Sequence, residues 1–214
     1  MSTFPTPEPI ALSVDLLSGT VTVIASDRTD TVVDVRPADA SKKGDVRAAE
    51  QTRVDFRDGT LRVKTVKDWR THTPFGGNPT IEVTIEVPTG SRLTASTAVG
   101  TLLGTGPLGQ CDLEVSAGNI VVERPLGAVT AKVAKGDIRI GEATRGELHL
   151  ETAVGELEIG INPASAVRLE TTATSGTVQN RMAPITHPRN TGDTVHIQAR
   201  NSYGNIIIHH TTPV

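Results

Sequence analysis

Apolar and polar side chains alternate around Gly118. Cys111, Leu113 and Val115 precede it on one face and Ile120 and Val122 follow, with Asp112, Glu114 and Val121 between them. Period two is the signature of a strand with one buried face. The glycine breaks the phase, as a corner does when the chain takes φ above zero or presses backbone on backbone. The frame recurs around Gly100 (Leu93, Ala95, Thr97, Leu102) and Gly136 (Val129, Ala131, Val133, Ile138, Ile140). It recurs again around Gly155 (Leu148, Leu150, Thr152, Leu157, Ile159) and Gly204 (Ile197, Ala199, Asn201, Ile206, Ile208). Leu12, Val14, Leu16, Val21 and Val23 set it around Gly19. Gly176 fits once two residues are added to its corner, and Val54, Phe56, Leu61 and Val63 make a weaker copy around Gly59.

From Gly100 to Gly176 the corner glycines are 18, 18, 19 and 21 residues apart, and the 28 residues from Gly176 to Gly204 imply a loop. Gly19 to Gly59 and Gly59 to Gly100 are each wide enough for two turns, with spare strand candidates at Thr31–Arg36 and Ile81–Val87. A period near twenty means stacked units, none of which buries its apolar face alone. Two architectures satisfy the pattern: a parallel β-solenoid with one rung per repeat, and an antiparallel meander or roll. The outward position four before the glycine reads Glu114, Lys132, Glu151 in consecutive repeats. In a solenoid these stack about 4.8 Å apart, and alternating sign then favours each pair. In a meander they are not neighbours. The all-β solenoid is the preferred reading.

Residues 1–9 are Pro-rich and read as an extended arm, and residues 10–214 as one β-repeat domain. Within it, 10–90 holds irregular rungs with insertions and 91–214 the regular repeats. The end of 37–51 is the one place suited to a short helix, and Asp58-Gly59 reads as a tight turn between strands. Segment 67–79 stands apart, with Lys67, Trp69, Arg70 and Phe75 beside Gly76-Gly77. It reads as a loop carrying an aromatic and basic contact patch. The plainer alternative is an insertion whose Trp69 folds over a flank or end of the repeat.

Composition narrows the functional classes. Aromatic residues make up 2% of the chain, which suits a narrow aliphatic interior and leaves little for base- or sugar-stacking. Net charge is −3 with the signs interspersed, which supplies neither a basic stripe for nucleic acid nor a polybasic membrane patch. Cys111 occupies an inward position and reads as a small buried hydrophobe. The first residues have no basic and apolar signal-peptide pattern, and no stretch approaches a membrane span, so the expected location is cytoplasmic without membrane insertion.

Candidate chemistry is sparse. His72, His149, His187, His196, His209 and His210 are scattered, and the adjacent pair would point to opposite faces of a strand. They read as solvated histidines, and no metal-ligand spacing appears. Gly100 to Gly106 is glycine-rich yet lacks a phosphate-loop lysine and helix. Asn119, Asp137 and Glu156 each follow a corner glycine and would stack along one solenoid corner. They read as solvated corner residues, or as a paired-carboxylate or divalent-ion site.

The repeated frame resembles the bacterial "putative adhesin" β-strand-repeat family of unknown function. The likeness rests on Pro7-Glu8-Pro9-Ile10-Ala11-Leu12-Ser13-Val14-Asp15-Leu16 and on Ala25 to Pro37. It rests also on Glu151 to Gly160 and on Ala199 to Ile206, and spans essentially the whole chain. The resemblance implies a repeat scaffold with no catalytic residues to carry over. The adhesin label implies a surface protein, from which the missing export signal departs. The expected function is a non-catalytic interaction or scaffold module without cofactor or metal. Its partner would be another protein or a second copy, joined end to end or by a strand edge. The alternative is a carbohydrate-active or metal-dependent enzyme on the same scaffold.

Overall fold

The computed structural model describes residues 1–65, 79–182 and 193–212. Among them, 16 strands join in one sheet that coils into a solenoid. The rungs are stacked parallel and in register. One is β2 (Ala11–Ser26), and beside it lie β7 (Arg92–Leu108) and then β8 (Cys111–Pro125). These three run through the corner as continuous strands. The next rung splits into β9 (Val129–Lys135) and β10 (Ile138–Ala143), and the one after into β11 (Gly146–Val154) and β12 (Leu157–Ile161). Beyond them the chain order inverts. The outermost rung is β13 (Ala166–Ser175) with β14 (Val178–Asn180). The later segment, β15 (Thr194–Tyr203) and β16 (Ile206–His210), slots between that rung and β11–β12.

The interior is aliphatic and built from columns. Leu12, Leu93, Cys111, Val129, Leu148 and Ile197 stack rung on rung, as do Val21, Leu102, Ile120, Ile138, Leu157 and Ile206, and all are buried. A neighbouring column alternates in size, with Val14, Ala95, Leu113, Ala131, Leu150 and Ala199. Small beside large lets successive layers fill the narrow space. Burial of Cys111 pushes its thiol pKa up to about 12, so it remains an inert thiol. On the outside, Glu114 stands opposite Lys132, Lys132 opposite Glu151, and Glu151 opposite Arg200. In the same column Lys64 and Asp15 form an ion pair at 3.4 Å.

At the other end the chain changes direction. Below β2 lie two half-rungs, β5 (Thr60–Lys64) and β6 (Ile81–Pro88), each parallel to it. Antiparallel strands then cover them: β4 (Arg53–Arg57) on β5, β3 (Asp30–Pro37) on β6, and β1 (Ser2–Pro5) on β3. The Pro-rich arm is therefore partly a strand. Helix α1 (Lys43–Gln51) falls where the alternation lapses and packs on β3. Its buried Asp45, in the first turn, accepts the Thr80 amide at 2.9 Å and so ties the helix to the start of β6. Phe4 and Phe56 meet with ring centroids 5.3 Å apart.

The corner frame needs two corrections. Gly176 takes no added residues at its corner, because Leu169 stands opposite Ile197 and Ser175 opposite Tyr203, with Gly176 directly against Gly204. Gly59 is not in the glycine column. With Asp58 (φ 50°) and Gly59 (φ 69°) it makes the two-residue turn between β4 and β5, the left-handed pair that such hairpins require. Its expected place beneath Gly19 is taken by Ile81. The half-rungs β5 and β6 are separate strands, and Ile81 opens β6 at the place where the column would put a glycine.

Candidate functional site

Seven glycines stack along the corner in the spatial order Gly19, Gly100, Gly118, Gly136, Gly155, Gly204, Gly176. Their φ angles lie between 131° and 154°. A Cβ on Gly118 would come within 1.8 Å of the Gly100 carbonyl oxygen, and one on Gly136 within 1.9 Å of that of Gly118. Only a residue without a side chain fits such an approach. A second column, Gly90, Gly109, Gly127 and Gly146, lines another turn of the rungs, where a Cβ on Gly109 would meet the Gly90 carbonyl at 2.4 Å. The sequence carried its signal, the same period of 18 to 19 residues offset by about nine.

Polar residues at inward positions beside the corner serve these glycines. Thr152 Oγ1 donates to the Gly136 carbonyl at 2.9 Å, and Asn201 Nδ2 to that of Gly155 at 2.8 Å. Each gives a partner to the carbonyl of a half-buried glycine. The residues after the glycines tie rungs together from outside. Asn119 Oδ1 accepts the Asp137 amide at 3.0 Å, Asp137 Oδ1 the Glu156 amide at 2.7 Å, and Asn205 Oδ1 the Thr177 amide at 3.1 Å.

The corner thus brings Asn119, Asp137 and Glu156 together, as the stacking reading expected, and adds Arg139 and Glu158. They line an open dish of about 210 Å³ with Ile120, Val121 and Ile138. Glu158 lies between Arg139 at 3.4 Å and His209 at 3.3 Å. His209 is therefore a partner of a carboxylate rather than a merely solvated side chain. Among the described residues no aromatic lines the dish. Among the described residues no group of three His, Cys, Asp or Glu side chains could hold a metal ion.

The residue before each glycine forms the crest of the corner. Val99, Ala117, Lys135, Val154, Tyr203 and Ser175 follow one another there in register. Strict alternation assigns this position to the interior. Rotation of the backbone through the corner instead leaves Tyr203 62% exposed and Val154 46% exposed, side by side. Lys67, Trp69, Arg70 and Phe75, the contact patch read from the sequence, lie outside the described residues. Among the described residues no helix is long and apolar enough to cross a membrane.

No curated protein matches the chain. Among solved structures, a "putative cell adhesion protein" from Clostridium sporogenes is similar over 98% of both chains, at 11% identity and a TM-score of 0.57, and so shares the fold. A "putative adhesin" from Bacteroides fragilis covers 98% of this chain and 95% of its own at 12% identity and a TM-score of 0.41. One from Parabacteroides merdae covers 99% and 95% at 15% identity and a TM-score of 0.34. The Toastrack DUF4097 family model matches residues 10–213; with its glycine-cornered rungs following that model almost from end to end, the chain belongs to the Toastrack DUF4097 family.

Proposed function

We propose that the protein is a non-catalytic interaction module that holds a protein partner on the crest of its glycine corner. The observation that carries this reading is the exposed pair Tyr203 and Val154. A tyrosine ring with an aliphatic neighbour on a rigid backbone is the kind of anchor on which binding energy concentrates. The crest is held by ladders on both sides, so little order has to be gained on binding. Lys135 on one flank and Asp137 and Glu156 on the other supply a polar rim. The adhesion-related descriptions of the structural neighbours agree with this class of function.

The alternative, a carbohydrate-active or metal-dependent enzyme, has the cluster Asp137, Glu156, Glu158 and Arg139 in its favour. Their polar atoms already hold the scaffold: Asp137 takes a backbone amide, and Glu158 lies against Arg139 and His209. The dish is an open depression on a strand face, without the flanking walls that hold a glycosidic bond between two carboxylates.

The test is affinity capture from native lysate with wild type and the Tyr203→Ser, Val154→Ser variant in parallel. The expected result is loss of specific partners from a variant of unchanged melting temperature. Identical partner sets would overturn the reading.

A further inference from the structure

We propose that β13 is a self-pairing edge, through which two copies of this chain join antiparallel about a two-fold axis at Leu169. This inference is independent of the crest reading. Among the described residues β13 pairs with β15 alone, although it is ten residues long, roughly 33 Å of strand. The Ala166 amide donates toward β15, to the Asp193 carbonyl at 3.0 Å. Backbone groups alternate from side to side along a strand, so those of Val167, Leu169 and Thr171 point to the open edge. The inward row Val167, Leu169, Thr171 and Ala173 is only half-buried, whereas the positions equivalent to Leu169, Thr171 and Ala173 are buried in the interior rungs.

The side chains select both occupant and register. Arg168 and Glu170 lie on the outward face, 3.7 Å apart at Nη2 and Oε1. With Leu169 on the axis, Arg168 of each copy stands opposite Glu170 of the other, and Val167 opposite Thr171. The edge-facing groups of all three inward residues are then paired, Leu169 with its own counterpart. Moving the axis one residue to Glu170 sets the two glutamates against each other, which is unfavourable. An edge whose charges complement themselves under a two-fold fits a second copy better than an unrelated chain. Head-to-tail stacking is disfavoured, because the opposite end carries antiparallel strands, a helix and a charged edge at Arg53, Asp55 and Arg57.

The experiment is sedimentation velocity on the full chain through a dilution series. Wild type is expected to show a concentration-dependent dimer. Thr171→Pro deletes an amide that β15 does not use, and should weaken the dimer by about tenfold or more. Arg168→Glu and Glu170→Arg should each weaken it by about tenfold, and the two together should restore it to within about threefold. If Thr171→Pro fails to fold, the charge exchange decides alone. A monomer at every concentration, a dimer indifferent to Thr171→Pro, or a double variant no tighter than either single one would overturn the proposal. The Tyr203→Ser, Val154→Ser variant should keep the dimer, which separates this result from the crest test.

Discussion

The two ends of the solenoid solve one problem in different ways. A stack of parallel rungs leaves unpaired backbone at each end. At the β2 end the chain splits the last rung into β5 and β6, reverses direction and covers both with antiparallel strands and α1. At the β13 end the chain lays down its outermost rung early and fills the gap behind it with β15 and β16. The first device ends the sheet in short strands, one of them edged with charge. The second buries the latest strands in chain order and leaves a long parallel strand outermost. A solenoid is therefore most sensitive in its middle, and its ends differ by how their edges are treated.

The largest effect that tests this contrast is at the corner. Gly118→Val or Gly136→Val drives a side chain into the carbonyl of the preceding rung and should cost more than about 4 kcal/mol in denaturant unfolding. Gly176→Val meets the Gly204 carbonyl just as closely but in the outermost rung. It should fray β13 and β14 while global melting moves by less than about 4 °C. Equal losses at both sites would remove the distinction between middle and end.

Next in size is the cap. Phe56→Ala removes the ring that meets Phe4 and should lower stability by about 2–3 kcal/mol. Val178→Ala, at an exposed position of the opposite end, should change it by less than about 0.5 kcal/mol. In the middle, Cys111 should resist alkylation in the native protein at neutral pH and react once denatured, because burial pushes its pKa up to about 12. Rapid native labelling would show that the central rungs open.

The smallest effect is electrostatic and belongs to the cap. Arg28 donates to Asp30 at 2.9 Å and also contacts Glu86, joining β3 to β6. The hydrogen bond from Arg28 holds the Asp30 pKa below its usual 3.8. A depressed folded value means the contribution is complete above about 3.8 and fades as pH falls through that folded value. Asp30 followed by NMR should titrate below the usual carboxylate value in wild type and move upward in Arg28→Ala. An unchanged titration would remove the Arg28 contact from the cap.

The sequence made the rung itself legible. Leu113, Val115, Ile120 and Val122 announced an inward face, Gly118 a corner, and Glu114, Lys132 and Glu151 a column. Lys43–Gln51 became a helix where the alternation lapsed, and Thr31–Arg36 and Ile81–Val87 became β3 and β6. Gly59 misled because a hairpin turn and a solenoid corner both call for a glycine after an alternating run. The exposure of Tyr203 and Val154 was hidden because alternation assigns them inside, and only the rotation of the corner turns them out.

Away from the crest, the sequence by itself determined which residues face inward, where each rung bends and that rungs stack, because a two-residue period and a glycine with no room for Cβ are local demands. The tertiary structure alone decided the order of the rungs. Each rung offers its neighbour the same parallel edge, so exchanging the last two leaves every local pattern intact. It also decided which polar atoms at the corner are already engaged, since those hydrogen bonds run between residues that only stacking brings together.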